Sequence, residues 1–324
     1  MNKNNGLLLE EDDDQLIITL TRKCNLRCSY CYQFDKNGSS ILIDRNSKHM
    51  DWETLKTSIE KYPEKKFVRF FGGEPLIRSD LIEKAIDYFG DSRKWGITTN
   101  CLLHNKLKER YWKKFSSIKI SLDGISNKKR ANKDDELLSS VGCILDKVLD
   151  LSCVVVSMTM TNEYHDYSLL SRVLDIYNKF NIKMFEVGID SFIITNSIEN
   201  EKIVNLFINE IFDTYKYIAS NDFFIAVALR DQLTANLNNN INCSMLSGEY
   251  ISIDVDGTID KCHVGSSLGF DLSEYNLQNT KAACPLLKKI NNNLGIVVDN
   301  YTNHLNELVL MEDILIEEFK KRVI

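Results

Sequence analysis

The sequence predicts an α/β fold: a partial barrel of six β/α units followed by a small C-terminal domain. From Gln15 to about Phe192, short apolar runs rich in β-branched residues alternate with amphipathic stretches, as expected of repeated units around a parallel sheet. Six units fall short of the eight that close a barrel, so we expect a partial (β/α)6 TIM-like barrel. An Asn-rich stretch, NLNNNINC, then suggests a boundary. We divide the chain into an N-terminal segment (1–14), the barrel (15–238) and a C-terminal domain (239–324).

Each element has its own local signal. The β-branched runs predict six strands, at Leu16–Thr21, Phe67–Phe71, Trp95–Thr99, Ile118–Leu122, Val154–Thr159 and Lys183–Gly188. Apolar residues spaced three and four apart predict helices over 52–62, 80–89, 106–115, 136–149, 167–180, 196–220 and 222–238. In the C-terminal part, Asp256-Gly257 predicts the turn of a hairpin over 250–260. A leucine and isoleucine pattern predicts a last helix over 303–322.

Composition narrows the class of protein. The 324 residues are 44% hydrophobic and 27% charged, which is ordinary for a globular chain and excludes disorder. A net charge of −6 gives no general attraction for nucleic acid, so we expect no nucleic-acid partner. No apolar run approaches the roughly 18 to 20 residues that cross a bilayer, and the N-terminus turns acidic after three leucines. We therefore expect a cytoplasmic protein without a membrane partner.

Three of the nine cysteines, Cys24, Cys28 and Cys31, lie in one loop directly after the first strand. Active-site loops of β/α barrels follow the strands, and three thiolates in one loop can converge on one metal centre. An iron–sulfur cluster with three protein ligands keeps one iron open for an exogenous chelator. Zinc is the alternative, but a structural zinc site needs a fourth ligand, and the loop contains no fourth Cys or His.

The CxxxCxxC spacing, with an aromatic residue before the third cysteine, resembles the cluster loop of the radical S-adenosylmethionine (radical SAM) enzymes. Three later segments, each at a predicted strand end, are similar to further motifs of that family: Phe71-Gly72-Gly73-Glu74-Pro75, Thr98-Thr99-Asn100 and Ser121-Leu122-Asp123-Gly124. In the family, the GGEP-like motif contacts the methionyl amino group, and a carboxylate suits an ammonium group. The resemblance implies that the cofactor-binding residues are Tyr30, Gly72, Gly73, Glu74, Asn100, Ser121 and Asp123.

The resemblance also implies a chemistry. A 4Fe–4S cluster on the three loop cysteines would bind S-adenosylmethionine through its open iron and pass it one electron. Reductive cleavage would then give methionine and a 5′-deoxyadenosyl radical that abstracts hydrogen from a substrate. Such an enzyme needs an electron donor such as flavodoxin or ferredoxin. Cys101, directly after Thr-Thr-Asn, is a candidate hydrogen-atom donor; the alternative is a harmless buried thiol.

A second group of cysteines, Cys243, Cys262 and Cys284, resembles the C-terminal extension of the SPASM/Twitch subgroup. No cysteine follows Cys284, so the shorter Twitch type with one auxiliary 4Fe–4S cluster fits better than the full SPASM pattern. These three residues are the implied metal ligands of that second cluster. Three unrelated buried cysteines are the alternative.

Enzymes of this architecture mostly modify peptides or proteins, so we expect a maturase that forms a crosslink or thioether or epimerises a residue. A separate leader-recognition protein is expected as a partner, because only about 15 residues precede the first strand. The alternatives are a small-molecule radical SAM dehydrogenase and an anaerobic sulfatase maturase. Sulfatase maturases carry Asp where this chain has His263, directly after Cys262, although His263 remains a candidate base. A non-catalytic electron carrier or zinc-binding module would not need the GGEP-like motif.

Overall fold

The structure is a computed structural model. It describes residues 15–31, 49–126, 134–161, 168–189, 201–220, 226–229 and 250–260. The described residues form one sheet of nine strands: β1 (Gln15–Thr21), β2 (Phe67–Gly72), β3 (Lys94–Thr99), β4 (Phe115–Ser121), β5 (Val154–Met160), β6 (Met184–Ile189), β7 (Ala226–Leu229), β8 (Tyr250–Ile253) and β9 (Ile259–Asp260). They also form six α-helices: α1 (Trp52–Glu60), α2 (Ser79–Phe89), α3 (Glu109–Trp112), α4 (Asp134–Leu145), α5 (Leu169–Phe180) and α6 (Glu201–Ser220).

Strands β1 to β7 are parallel and lie in sequence order across the sheet, with helices in the connections, so the chain is an α/β protein. The six predicted strands are confirmed. Within the described residues β7 pairs only with β6, so the sheet is open, as expected of a partial barrel. Parallel strands end at the same edge of a sheet, so the loops that follow β1 to β5 are neighbours.

The structure corrects the number of strands. Residues 222–238 were expected to be a helix, but Ala226–Leu229 is a seventh parallel strand, β7, in register with Met184–Val187 of β6. A four-residue apolar run does not distinguish a strand from a helix by its periodicity. Pairing with the exposed backbone groups of β6 decides the conformation. The other residues of the predicted helix lie outside the described part of the chain.

The third helix is shorter than predicted. It covers Glu109–Trp112 instead of 106–115, because Phe115 already begins β4 and pairs with Trp95 of β3. Both aromatic side chains are buried in this arrangement, and burial of large aromatic side chains stabilises it. The helices predicted near 52–62, 80–89, 136–149 and 167–180 are confirmed with ends shifted by a few residues, and the one at 196–220 is described from residue 201.

The two faces of the sheet differ in chemistry. One face, with Leu16, Ile18 and Leu20 of β1, packs with the apolar sides of the helices in one continuous core. The other face carries polar side chains among a few apolar ones: Arg69 Nε donates to Gln15 Oε1 at 2.8 Å, and Arg69 also donates to Ser117 Oγ at 3.2 Å. Polar side chains thus line the inner surface of the barrel below the strand ends. No helix among the described residues has the length and apolar character of a membrane span.

The predicted hairpin over 250–260 is confirmed, and its position in the sheet is new. Strand β8 pairs with β9 in antiparallel fashion and with β1 in parallel, so the hairpin extends the barrel sheet beside the first strand. Gly257 has a φ of 84°, which suits glycine in the turn. The Arg22 guanidinium, just after β1, forms an ion pair with the Asp254 carboxylate, just after β8. The helix predicted over 303–322 lies outside the described residues.

Candidate active site

The cysteine loop leaves the carboxyl end of β1, as the sequence predicts. Cys24, Cys28 and Cys31 are half-buried, and none of them forms a disulfide with another described residue. A tight turn holds the end of the loop, in which the Cys31 amide donates to the Cys28 carbonyl at 3.1 Å. At the start of the loop, the Leu26 amide donates to Cys24 Sγ at 3.4 Å. All three thiols are therefore carried by one short segment at the active-site edge of the barrel.

The donor set of the loop fits an iron–sulfur cluster, since all three side chains are thiols that bind iron as thiolates. Burial raises the pKa of the Cys24 thiol to about 12, with the charges of Glu74, Cys28 and Cys31 acting in the same direction and the Leu26 amide acting against it. Binding iron would therefore have to displace a proton from Cys24. Among the described residues, no three Cys, His, Asp or Glu side chains are already gathered as a metal site. The fit thus rests on the chemistry of the donors and on their place in one loop.

The GGEP-like segment at the end of β2 lies directly against the cysteine loop. The Gly73 amide donates to the Thr21 carbonyl at 2.8 Å, and the Glu74 amide donates to the Lys23 carbonyl at 2.9 Å. A Cβ on Gly73 would lie inside van der Waals contact with the Lys23 backbone oxygen, and a Cβ on Gly72 would meet the Thr21 oxygen in the same way. The two glycines are therefore required for the close approach of these two backbone segments.

The side chain of Glu74 points into the protein. Its carboxylate accepts from the Leu76 amide at 3.0 Å, from Thr99 Oγ1 at 2.8 Å and from the Asn100 amide at 2.8 Å. Burial raises its pKa to about 7, although these three donors favour the charged form. Glu74 thereby joins the end of β2 to the end of β3.

Asn100 also contacts the cysteine loop. Its side-chain amide donates to Asn25 Oδ1 at 2.8 Å and lies 3.7 Å from Cys24 Sγ. This side chain, expected in the cofactor pocket, therefore reaches one of the predicted metal ligands. Asn25 and Thr99 are two further site residues that were not predicted from the sequence, although both are polar residues within the quoted motifs.

Cys101, the next residue, has its thiol in the hydrophobic core and is fully buried. Its backbone is in the left-handed region with a φ of 69°, which is uncommon for a residue other than glycine. The Cys101 amide donates to Thr99 Oγ1 at 3.0 Å. This placement is that of the buried-thiol alternative, and the hydrogen-donor role remains an untested prediction.

The end of β4 contacts the cysteine loop through Tyr30. Ser121 closes β4 and is half-buried, whereas Asp123 is fully buried. The Tyr30 hydroxyl donates to Asp123 Oδ2, and the Thr159 amide of β5 donates to Asp123 Oδ1 at 2.9 Å. Two residues that the resemblance assigns to cofactor binding are thus hydrogen-bonded to each other.

The remaining predicted site residues, Cys243, Cys262, His263 and Cys284, lie outside the described residues. The auxiliary cluster and the base role of His263 therefore stay predictions. An ion pair on the inner face of the barrel was not indicated by the sequence: Lys119 Nζ of β4 lies 2.8 Å from Glu186 Oε2 of β6. The two residues are far apart in the sequence. Only the alternation of side chains between the two faces of β4 and β6 could have indicated that both point to the inner face.

The parallel sheet and the motifs at its strand ends point to one protein family. Residues 18–161 match the model of the radical SAM superfamily. This segment contains most of β1, strands β2 to β5, the cysteine loop and the GGEP-like motif, and it is a radical SAM domain.

Curated relatives match part of the chain. The GTP 3′,8-cyclase of Clostridium perfringens (strain 13 / Type A) is 34% identical over 143 residues, which cover 42% of this chain and 41% of the relative. The chain therefore spans less than half the length of this relative.

Solved structures match more of the chain at lower identity. Streptococcus suis SuiB bound to precursor peptide SuiA has a TM-score of 0.56 at 16% identity, covering 87% of this chain and 68% of SuiB. Native anSMEcpe with bound AdoMet has a TM-score of 0.57 at 16% identity, covering 86% and 80% of the two chains. At this identity the likeness establishes the fold alone.

Proposed function

We propose that this chain is a radical SAM enzyme that cleaves S-adenosylmethionine reductively and abstracts hydrogen from a peptide or protein substrate. The observation that carries the proposal is the backbone contact between the cysteine loop and the GGEP-like segment, within a radical SAM domain. The bound cluster would supply the electron that cleaves S-adenosylmethionine.

In this proposal the chain's own residues hold and orient the bound groups. Cys24, Cys28 and Cys31 would ligate the cluster, while the side-chain amide of Asn100 would donate to the first of these sulfurs. The half-buried backbone around Gly72 and Gly73 would offer polar groups to the methionyl end of the ligand. The buried Glu74 carboxylate would keep β2 and β3 at the right separation.

A peptide substrate is supported by the extent of the structural likeness. The fold shared with SuiB, which was solved with its precursor peptide, covers 87% of the chain and so extends beyond the radical SAM domain. We extend the proposal to an auxiliary 4Fe–4S cluster on Cys243, Cys262 and Cys284, an electron donor such as flavodoxin or ferredoxin, and a separate leader-recognition protein.

A small-molecule substrate is the second candidate. The 34% identity to a GTP 3′,8-cyclase favours it, because that relative is named for an activity on a nucleotide. The two candidates differ in which substrate consumes the radical, so one assay separates them.

The test is anaerobic reconstitution of the full chain with iron and sulfide, followed by reduction in the presence of S-adenosylmethionine. We expect 5′-deoxyadenosine from the wild type and from Cys143→Ala, which removes a half-buried thiol on α4. The Cys24/Cys28/Cys31→Ala variant should form none, and it should keep about four irons if the auxiliary cluster exists. 5′-Deoxyadenosine from that variant would contradict the proposal.

Substrate class is tested in the same preparation. Candidate precursor peptides and GTP are added separately, and products are identified by mass spectrometry. A mass change in a peptide, with GTP unchanged, supports the maturase. Conversion of GTP, with no change in any peptide, supports the small-molecule alternative.

A further inference from the structure

The third cysteine of the loop is preceded by a tyrosine whose hydroxyl is hydrogen-bonded to a carboxylate at the end of β4. Tyr30 is 9% exposed and Asp123 is 0% exposed, and the Tyr30 hydroxyl donates to Asp123 Oδ2. The two residues are 93 positions apart in the sequence. A hydrogen bond to a carboxylate shielded from water is stronger than one between exposed neutral groups.

The acceptor is itself held in place from two sides. Asp123 Oδ1 accepts from the Thr159 amide of β5 at 2.9 Å, and the Asp123 carbonyl accepts from Arg172 Nη1 of α5 at 3.4 Å. The Arg172 side chain is buried. The carboxylate therefore belongs to the rigid frame formed by β4, β5 and α5.

The start of the cysteine loop has different supports. The Gly73 amide donates to the carbonyl of Thr21, the last residue of β1, and the Glu74 amide donates to the Lys23 carbonyl. The Asn100 side chain reaches Asn25 and Cys24. These contacts come from the ends of β2 and β3. The turn that carries Cys28 and Cys31 lies further along the loop, and Tyr30 lies within that turn.

We propose that Tyr30 and Asp123 are positioning residues, which hold the turn carrying Cys28 and Cys31 against the ends of β4 and β5. Groups around metal ligands commonly fix the orientation of those ligands. Here the pair orders the loop before any metal binds, so that two of the three thiols are presented from a fixed turn. Only the metal-dependent part of the test below rests on the proposed function.

The perturbation is Tyr30→Phe, which keeps the ring and removes only the hydroxyl. The matched control is Tyr111→Phe on α3, whose hydroxyl lies 2.6 Å from Asp87 Oδ2 and whose side chain is also buried. Hydrogen exchange of the full chain, followed by mass spectrometry of the peptide containing residues 24–31, measures opening of the loop. Amides of β1 in the same samples report whether the barrel itself has loosened.

We expect Tyr30→Phe to accelerate exchange in the loop by about tenfold or more, since hydrogen bonds to charged groups contribute on that scale. Exchange in β1 should stay within about twofold of wild type, a pattern that general destabilisation would not produce. Asp123→Asn keeps hydrogen-bonding groups at the site without the charge, and it should give a rate between those of wild type and Tyr30→Phe. The proposal would be overturned if hydrogen exchange in the loop of Tyr30→Phe were as slow as in the wild type. It would also be overturned if Tyr111→Phe accelerated exchange in the loop by the same factor as Tyr30→Phe.

A second measurement uses the reconstituted chain. Iron should pass to an added chelator about tenfold faster from Tyr30→Phe than from wild type or Tyr111→Phe. Failure of every variant, including wild type, to take up iron would count against the proposed function, while the exchange result would still decide the role of Tyr30. Equal rates of iron loss from wild type and Tyr30→Phe would overturn the positioning role toward the metal.

Discussion

Replacing Glu74 with Gln should remove a pH dependence of stability that the wild-type chain has near neutrality. Glu74 lies fully buried at the end of β2, and burial raises the pKa of its carboxyl from the ordinary 4.5 to about 7. Hydrogen bonds from the Asn100 amide, Thr99 Oγ1 and the Leu76 amide lower the pKa, but burial has the larger effect. Folding therefore favours the protonated form of this group over the whole range between the two values.

The magnitude follows from linkage. A group whose pKa is raised on folding contributes stability that is fully present below its unfolded pKa and is lost as the pH rises through its folded pKa. Each pKa unit corresponds to about 1.4 kcal/mol, so the difference between 4.5 and about 7 amounts to about 3 kcal/mol. Most of this, about 2 kcal/mol, is lost between about pH 5 and pH 8. Gln cannot ionise, so the variant lacks this loss.

The assay is urea unfolding of the full chain, followed by circular dichroism at about pH 5 and pH 8. Gln has one acceptor oxygen for the donors around Glu74, so the variant should be less stable at pH 5 by roughly 1 to 3 kcal/mol. That deficit should shrink by about 2 kcal/mol at pH 8. Asp80→Asn is the control: the Arg78 guanidinium lowers the pKa of Asp80 below 3.8, so its contribution is lost only at lower pH. An equal deficit of Glu74→Gln at both pH values would refute the reasoning.

Three further predictions concern other parts of the site. A double-mutant cycle on the Arg22–Asp254 ion pair, whose side chains are only 15% and 16% exposed, should give a coupling of about 1 kcal/mol in urea unfolding, and zero coupling would contradict it. Gly73→Ala should lower the free energy of unfolding by about 1 to 3 kcal/mol, whereas Gly142→Ala on α4, with nothing within 4 Å of its added Cβ, should raise it slightly. Cys101→Gly should be at least as stable as Cys101→Ala by thermal unfolding, because glycine relieves a left-handed backbone by about 1 kcal/mol; a much less stable Gly variant would contradict this.

Much of the barrel could be predicted because its signals are local. The runs around Ile118 and Val154 are apolar and β-branched, and each forms a strand close to the expected position. Strand β7 was not predictable in the same way, since its four residues become a strand only by pairing with β6. The early end of α3 likewise depends on the pairing of Phe115 with Trp95, from a different strand.

The candidate site was also predictable only in part. Motif spacing indicated which residues lie at the strand ends, including Glu74 and Asp123. It did not indicate that both carboxylates are buried and accept hydrogen bonds from the protein. Their donors lie 25 to 93 positions away, apart from the Leu76 amide. The sequence shows only that a residue is Glu or Asp. It does not distinguish a carboxylate that binds an ammonium group from a carboxylate that joins two strands.

The sequence by itself determined the order of the β/α units, the turn of the hairpin and the place of three thiols directly after β1. These follow from side-chain patterns, turn chemistry and spacing, all of which act between residues close in the chain. Only the tertiary structure decided that the hairpin pairs with β1, that Tyr30 bonds to Asp123 and that Glu74 has a pKa of about 7. The physical reason is that strand pairing, desolvation and charge depend on which distant segments the fold brings together.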